Sequence, residues 1–165
     1  MEVTFTTMIG KFSDTIYKIE KAIVIILIAA MFLTLTAGVF FRYFFNSPLF
    51  WSDEFAIFTL IWLTFLGGSI SIKRQQTAAV TILVDKLNEK NRKIVASISF
   101  LILIIFCLFI VYYSYIWLSS PNIVLQRSNS MQLPMIYPYL SVPTGFFFMS
   151  IHSMHLFLLS LKESV

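Results

Sequence analysis

The sequence predicts an all-α integral membrane protein with four transmembrane helices and both termini on the inner side. Of its 165 residues 58% are hydrophobic and only 12% are charged, whereas soluble domains are about 25% charged. The apolar residues fall into four runs of about 18–25 residues, long enough to cross a hydrocarbon core of about 30 Å. The basic residues lie between these runs, mostly in segments that share one side. The chain is therefore predicted to form one membrane domain, residues 1–165.

The N-terminal segment is predicted to be a short amphipathic helix over residues 8–21. Its residues Ile9, Phe12, Ile16 and Ile19 recur at helical spacing. Such a helix is expected to lie on the membrane surface and to lead into the first span, residues 22–41. The apolar run is longer than the roughly 7–15 residues of a signal-peptide core, so it is expected to remain as a span.

Three further spans are predicted at residues 55–72, 94–118 and 142–161. The boundary that the sequence defines least is the start of the fourth, because Pro138 and Pro143 interrupt it and proline breaks the helical hydrogen-bond ladder. Residues 131–141 are predicted to form a lead-in segment at the membrane interface.

The loop between the second and third spans is predicted to hold a second interfacial helix over residues 78–90. Val80, Leu83, Val84 and Leu87 form an apolar stripe there. A plain solvated turn is the alternative. The basic residues around this loop are expected to contact lipid headgroups: Lys73, Arg74, Lys86, Lys90, Arg92 and Lys93.

The basic residues also predict the orientation. If the N-terminus is cytoplasmic, only Arg42 and Arg127 of the 12 Lys and Arg residues lie outside. This is a strong positive-inside bias. Tyr and Trp residues cluster at the outer ends of the spans, as expected of an aromatic belt.

The spans carry no Asp, Glu, Lys or Arg in their central parts, which disfavours an independent pump or transporter. No catalytic, cofactor-binding or metal-ligating residue is predicted, and no cofactor. His152 and His155 share a face of the fourth span but lack a neighbouring carboxylate or cysteine in sequence. Hydrogen bonds to an adjacent helix are the favoured interpretation. Cys107 is alone and is expected to be a buried apolar residue.

The hairpin between the first two spans contains a close cluster of unlike charges. Arg42 ends the first span, and Asp53 and Glu54 begin the second. Arg42 is expected to reach one of these carboxylates and to fasten the hairpin. The carboxylates also suit a helix N-terminus, and Ser52 is predicted to be the N-cap.

The second span also carries small residues on one face, at positions Thr64, Gly67, Gly68 and Ser71. Small residues let another helix approach closely. The sequence leaves two alternatives open for this neighbour, a helix of this chain and a helix of another chain.

At the hairpin the sequence resembles the small membrane subunit of tripartite ATP-independent periplasmic (TRAP) transporters. The resemblance rests on three short motifs and a basic pair, in the order Arg42-Tyr43 with Phe45-Asn46, Trp51-Ser52-Asp53-Glu54, Trp62-Leu63-Thr64-Phe65-Leu66-Gly67, and Lys73-Arg74. It implies a non-enzymatic scaffold subunit in a bacterial or archaeal inner membrane. The implied partners are a large multi-span subunit of elevator type, a periplasmic binding protein that is bound transiently, and membrane phospholipids, with no nucleic acid.

The implied system imports an organic anion, of the sialic acid or C4-dicarboxylate class, with a sodium gradient. Within it, structural or interface roles are expected for Arg42, Trp51, Asp53, Glu54, Trp62, Gly67 and Gly68. Two alternatives remain: an autonomous four-span transporter of small molecules, and a membrane anchor of an enzyme with a haem bound by His152 or His155.

Overall fold

A computed structural model describes the chain over residues 2–74 and 89–162. Most of the predicted helix 78–90, with Lys86, lies outside the described residues, and so do the side chains of Lys90 and Arg92. The described residues form six helices: α1 (Glu2–Phe44), α2 (Phe50–Lys73), α3 (Glu89–Leu118), α4 (Pro121–Leu125), α5 (Ile136–Tyr139) and α6 (Ser141–Lys162).

Four long apolar helices account for the membrane-spanning capacity of the chain. They lie within Thr6–Phe44, Phe50–Lys73, Lys93–Leu118 and Ile136–Leu161. Each is long and apolar enough to cross a membrane. The predicted all-α architecture with four spanning helices is confirmed.

The first helix differs from its prediction. Residues 8–21 do not form a separate helix, because α1 runs without a break for 43 residues, about 65 Å. Its N-terminal half packs through a face that combines Ile16 of the apolar stripe with Gly10, Ser13 and Glu20, all of which are buried. Phe12 and Ile19 of the stripe are more than half exposed. Polar partners on other helices, described below, select this face. Its location at the membrane surface remains a prediction.

The four long helices form an open array in which α2 and α6 are central. Helices α2 and α6 run parallel, α1 packs antiparallel to α2 and touches α6 with its inner half, and α3 packs along α6. Close approach depends on a glycine in α6, since a Cβ on Gly145 would lie 2.6 Å from the Cβ of Phe65 and 3.2 Å from its backbone.

The turn between α1 and α2 is short and is closed by backbone bonds. Asn46 adopts φ 51°, a left-handed conformation that asparagine tolerates better than most residues. The N–H of Ser47 then donates to the carbonyl of Phe41. The prediction that Ser52 caps α2 is wrong. The N-cap is Leu49, and the Ser52 hydroxyl, inside the helix, donates to the Leu49 carbonyl.

The segment before α6 lies beside α2. The indole N–H of Trp62 donates to the carbonyl of Tyr137 at 3.2 Å. Trp62 is eight residues beyond Glu54, about 12 Å along the helix axis. The lead-in segment 131–141 therefore runs beside α2 from the N-terminal end of that helix at least as far as Trp62. Helix α6 then begins at Ser141.

Candidate functional site

The outer charge cluster divides into two separate contacts. Arg42 Nη2 lies 3.4 Å from Asp53 Oδ2, and both side chains are more than half exposed. This is the hairpin contact that the sequence predicts for Arg42. A long, exposed ion pair of this kind contributes about 0–1 kcal/mol, so it aligns the hairpin more than it stabilises it.

Glu54 has a different partner, the loop between α4 and α5. Its Oε1 accepts the backbone N–H of Asn129 at 2.9 Å, and its Oε2 accepts those of Ser130 and Met131 at 3.0 and 2.7 Å. Three successive backbone N–H groups form a concave anion-binding nest. In this chain the nest is filled by Glu54, which fastens the loop to the start of α2.

Of the other predicted interface residues, some contact residues of this chain and others have an open surface. Trp62 binds Tyr137 within the chain, and Trp51 is 43% exposed at the start of α2. Gly68 faces α6, because a Cβ there would lie 2.8 Å from Met149 Cε. A Cβ on Gly67 would meet no heavy atom within 4 Å. The described chain therefore uses Gly68 and leaves the surface at Gly67 open.

At the inner end of α2, Lys73 is the centre of a polar cluster. Its ammonium group lies 2.7 Å from Asp14 Oδ1, 2.9 Å from Ser13 Oγ and 3.2 Å from His155 Nδ1. An ammonium group has three N–H donors, and these three acceptors occupy all of them. Lys73 thus joins α1, α2 and α6, and retains no donor for the predicted headgroup contact.

The neighbouring Arg74 is placed differently. It is exposed, its Nε donates to the hydroxyl of Tyr17 at 3.0 Å, and its guanidinium lies 5.9 Å from the centre of the Tyr17 ring. The headgroup contacts predicted for Arg74 and Lys93 remain predictions.

Deeper in the protein the cluster continues as a fully buried pair. His152 Nδ1 lies 2.7 Å from Ser13 Oγ, and its Nε2 lies 3.0 Å from Glu20 Oε2. The side chains of Glu20 and His152 have zero exposure. The second carboxylate oxygen, Glu20 Oε1, is buried with no hydrogen-bond partner.

This geometry supports the interpretation of His152 and His155 as interhelical hydrogen-bonding residues. Both ring nitrogens of His152 are engaged by protein atoms, so neither is free to bind a haem iron. His155 Nδ1 is engaged by Lys73. Within residues 2–74 and 89–162, no three His, Cys, Asp or Glu side chains are grouped to hold a metal ion.

Ser13 and Glu20 are the site residues that sequence reasoning misses. They are separated from His152 by 139 and 132 residues, a distance across which no local pattern operates. One signal was available, since residues seven apart share a helix face. A serine and a glutamate on one face of an apolar helix indicate a polar partner elsewhere.

Fold and site together define a multi-span membrane protein whose buried polar groups bind one another across helices. The profile of the family described as "Tripartite ATP-independent periplasmic transporters, DctQ component" matches residues 7–163. The chain belongs to this family. This is a family of transporter proteins rather than enzymes, and its members are multi-pass proteins of the bacterial inner membrane.

Curated relatives show the same relationship at lower coverage. The C4-dicarboxylate TRAP transporter small permease protein DctQ of Vibrio cholerae is 29% identical over 99 residues, 60% of this chain and 41% of that protein. The sialic acid TRAP transporter small permease protein SiaQ of the same species is 36% identical over 77 residues, 47% of this chain and 44% of that protein. In both cases the matched part spans less than half of the relative.

A longer relative is also similar. The isethionate TRAP transporter permease protein DctMQ of Oleidesulfovibrio alaskensis is 29% identical over 106 residues, which cover 61% of this chain but only 16% of that protein. The present chain therefore resembles one small part of that permease.

Proposed function

We propose that this chain is the small scaffold subunit of a TRAP transporter that imports an organic anion across a bacterial inner membrane. Membership of the DctQ-component family supports the assignment. In the proposed system a large subunit of elevator type moves the anion with a sodium gradient, and a periplasmic binding protein delivers it. The chain itself holds a fixed position beside the moving subunit.

The observation that carries this proposal is that the polar side chains with the most partners bind other parts of the same chain. Glu54 binds the outer loop, Lys73 fills its donors with acceptors from α1 and α6, and His152 binds Ser13 and Glu20. A transport pathway instead needs polar groups that face a cavity or the substrate. Contacts of this kind suit a rigid scaffold.

The open face of α2 is the surface that we assign to the large subunit. Asp53, Ile57, Leu60 and Thr64 are exposed at helical spacing, and Gly67 continues the same face with open space above its Cα. Small residues permit close helix packing inside membranes. A helix of the large subunit placed here would use the glycine that this chain does not need for its own packing.

The outer loops are assigned to contacts with the binding protein. The positive-inside bias predicts a periplasmic location for the Glu54-bound loop. The three backbone bonds to Glu54 hold that loop in a defined shape. A preformed loop loses less conformational entropy when a partner binds, which suits transient docking.

The substrate is assigned only as an organic anion. The relatives above are named for C4-dicarboxylate, sialic acid and isethionate, and all three substrates are organic anions. The described cluster at Lys73 is not offered as a substrate site, because its ammonium donors are already occupied. Substrate choice is therefore expected to reside in the other two proteins.

Co-purification and uptake test the proposal. A tagged copy of this chain is expected to purify with an untagged large subunit encoded in the same bacterium. Deletion of the chain is expected to abolish sodium-driven uptake of the anion. If the chain purifies as a stable monomer and its deletion leaves uptake unchanged, the proposal is wrong.

A matched pair of variants tests the assigned surface. Gly67→Leu adds a side chain to the open face of α2, and Ala29→Leu makes a similar addition on the exposed face of α1. We expect Gly67→Leu to reduce co-purification at least several-fold while Ala29→Leu does not, because only the first blocks close helix approach. If both variants associate equally with the large subunit, the interface does not include this face of α2.

A further inference from the structure

We propose that Glu20 and His152 together form a buried binding site for one proton, which a hydrogen-bonded chain connects to an exposed carboxylate. The two side chains come from α1 and α6, and both have zero exposure. His152 Nε2 lies 3.0 Å from Glu20 Oε2. This inference concerns the chain itself and does not depend on the transport function proposed above.

One proton is what the charges of this pair lack. With Glu20 ionised and His152 neutral, the pair carries one negative charge, and Glu20 Oε1 has no donor. A buried charge that is incompletely paired is strongly unfavourable. One added proton removes the net charge, whether it gives an imidazolium beside a carboxylate or a carboxylic acid beside an imidazole. The proton belongs to the pair, because either side of the 3.0 Å contact between His152 Nε2 and Glu20 Oε2 can hold it.

The surrounding charges do not supply this balance. On α2, the positive charge of Lys73 is matched by Asp14 of α1 at 2.7 Å. On α6, His155 faces Lys73 through Nδ1, which must be an acceptor there, so this ring is neutral. Arg74 is exposed, lies outside the pair and contacts the half-buried Tyr17. The cluster of Lys73, Asp14 and Glu20 therefore has a net charge of one negative unit.

Helix α3 packs on the far side of α6, and Ser97 of α3 faces Ser160, so the described Lys93 lies nearer the C-terminal end of α6 than His152 does. Among the described side chains of α3, the buried titratable group is Cys107, a neutral thiol that is a weak donor. On α1, Lys18 and Lys21 are exposed and therefore strongly screened by water. Neither neutralises the fully buried carboxylate.

Ser13 gives the pair a route to the surface. Its Oγ lies 2.7 Å from His152 Nδ1 and 2.9 Å from Lys73 Nζ, and Lys73 contacts Asp14, whose side chain is 61% exposed. Before the pair takes up its proton (the unloaded state), the Ser13 hydroxyl donates to His152 Nδ1 and accepts from Lys73. Uptake of the proton (loading) moves the Ser13 proton to Nδ1 and one Lys73 proton to Ser13. Lys73 regains its proton from a hydronium ion beside Asp14, which becomes water, so one proton enters from solution.

The hydrogen bonds that join Ser13, His152 and Lys73 can be satisfied in both states. When Nδ1 is protonated it donates to Ser13 Oγ, which has two lone pairs and can still accept from Lys73. The Ser13 O–H can then donate to the carbonyl four residues earlier in α1, a common bond for serine in helices. Loading therefore needs no rearrangement of the three helices.

Proton release on unfolding tests the site. The purified chain in weakly buffered micelles at about pH 7.5 is unfolded with a denaturing detergent beside a pH indicator. At that pH an unfolded glutamate is ionised and an unfolded histidine is neutral. The wild type is expected to release about one proton more per chain than Glu20→Gln. Asp53→Asn, the same chemical change at an exposed carboxylate, is expected to match the wild type. Equal release by the wild type and Glu20→Gln overturns the proposal.

A spectroscopic measurement decides the question even if Glu20→Gln fails to fold. At the same pH, infrared spectra of the folded wild type are examined for a protonated carboxyl band. Histidine ¹⁵N NMR spectra of His155→Gln are examined for an imidazolium signal from His152. One of the two signals is expected, and it should disappear on unfolding. If neither is present, the pair holds no extra proton and the site does not exist.

Discussion

Glu54 shows how strongly a single residue can depend on contacts that are distant in sequence. Its carboxylate accepts three backbone N–H groups of residues 129–131, whereas its neighbour Asp53 makes one long contact with Arg42. Bonds from N–H groups to a charged oxygen are stronger than bonds between neutral groups. The outer loop is thus held by Glu54, and the exposed ion pair has a minor role.

We expect Glu54→Gln to loosen this loop. An amide has one carbonyl oxygen in place of two carboxylate oxygens and carries no charge, so it cannot satisfy all three N–H groups. Hydrogen exchange measured by mass spectrometry should accelerate in peptides that cover residues 129–131. Asp53→Asn serves as the matched control and should leave that exchange unchanged. Unchanged exchange in Glu54→Gln would mean that the loop is held by other contacts.

Arg42→Gln should have a small effect on stability. The Arg42–Asp53 pair is exposed and its shortest contact is 3.4 Å, so its loss should lower the free energy of unfolding by less than about 1 kcal/mol. Denaturant titration of the isolated subunit in micelles measures this value. If the free energy of unfolding falls by more than roughly twice that limit, the hairpin between α1 and α2 depends on the ion pair.

At the scale of helices, two glycines of similar appearance in sequence have different roles. Gly145 of α6 lies against Phe65, with no room for a Cβ, whereas Gly67 of α2 has open space. The first allows close packing of α2 and α6. The second contributes nothing to packing within the described chain.

Gly145→Ala should therefore lower stability, whereas Gly67→Ala should not. The added methyl at Gly145 forces α2 and α6 apart, which should lower the free energy of unfolding by about 1–3 kcal/mol. At Gly67 the methyl meets nothing and improves helix propensity, so stability should be unchanged or rise by up to about 1 kcal/mol. Thermal unfolding of both isolated variants in one detergent makes the comparison. A destabilised Gly67→Ala would show that α2 is covered within this chain.

The whole molecule is an open array, and its orientation in the membrane is predicted from charge. The variant Ser47→Cys is expected to react with a membrane-impermeant maleimide in intact cells, because the hairpin turn is exposed and predicted to lie outside. The variant Lys18→Cys, at an exposed position, should react only after the cells are permeabilised. The native Cys107 is buried and should add no background. The reverse labelling pattern would invert the topology.

The sequence by itself determined the membrane class, the number of spanning helices and the hairpin ion pair. Those features depend on run length, local charge and short separation, such as the 11 residues between Arg42 and Asp53. Local patterns gave no information where a side chain had a distant partner. The apolar stripe of residues 8–21 predicted a helix at the membrane surface, but it did not predict that Ser13 and Glu20 would be buried against His152.

Only the tertiary structure decided which polar groups meet. The acceptor set of Lys73, the nest around Glu54 and the pair of Glu20 with His152 each join segments separated by 59 or more residues. Backbone N–H groups, as in the nest, have no signature in the sequence at all. A local pattern determines where a helix can form. In the low dielectric of a packed interior, a buried polar group without a partner is costly, so the choice of partner determines which helix faces pack. Those partners come together only when the helices pack.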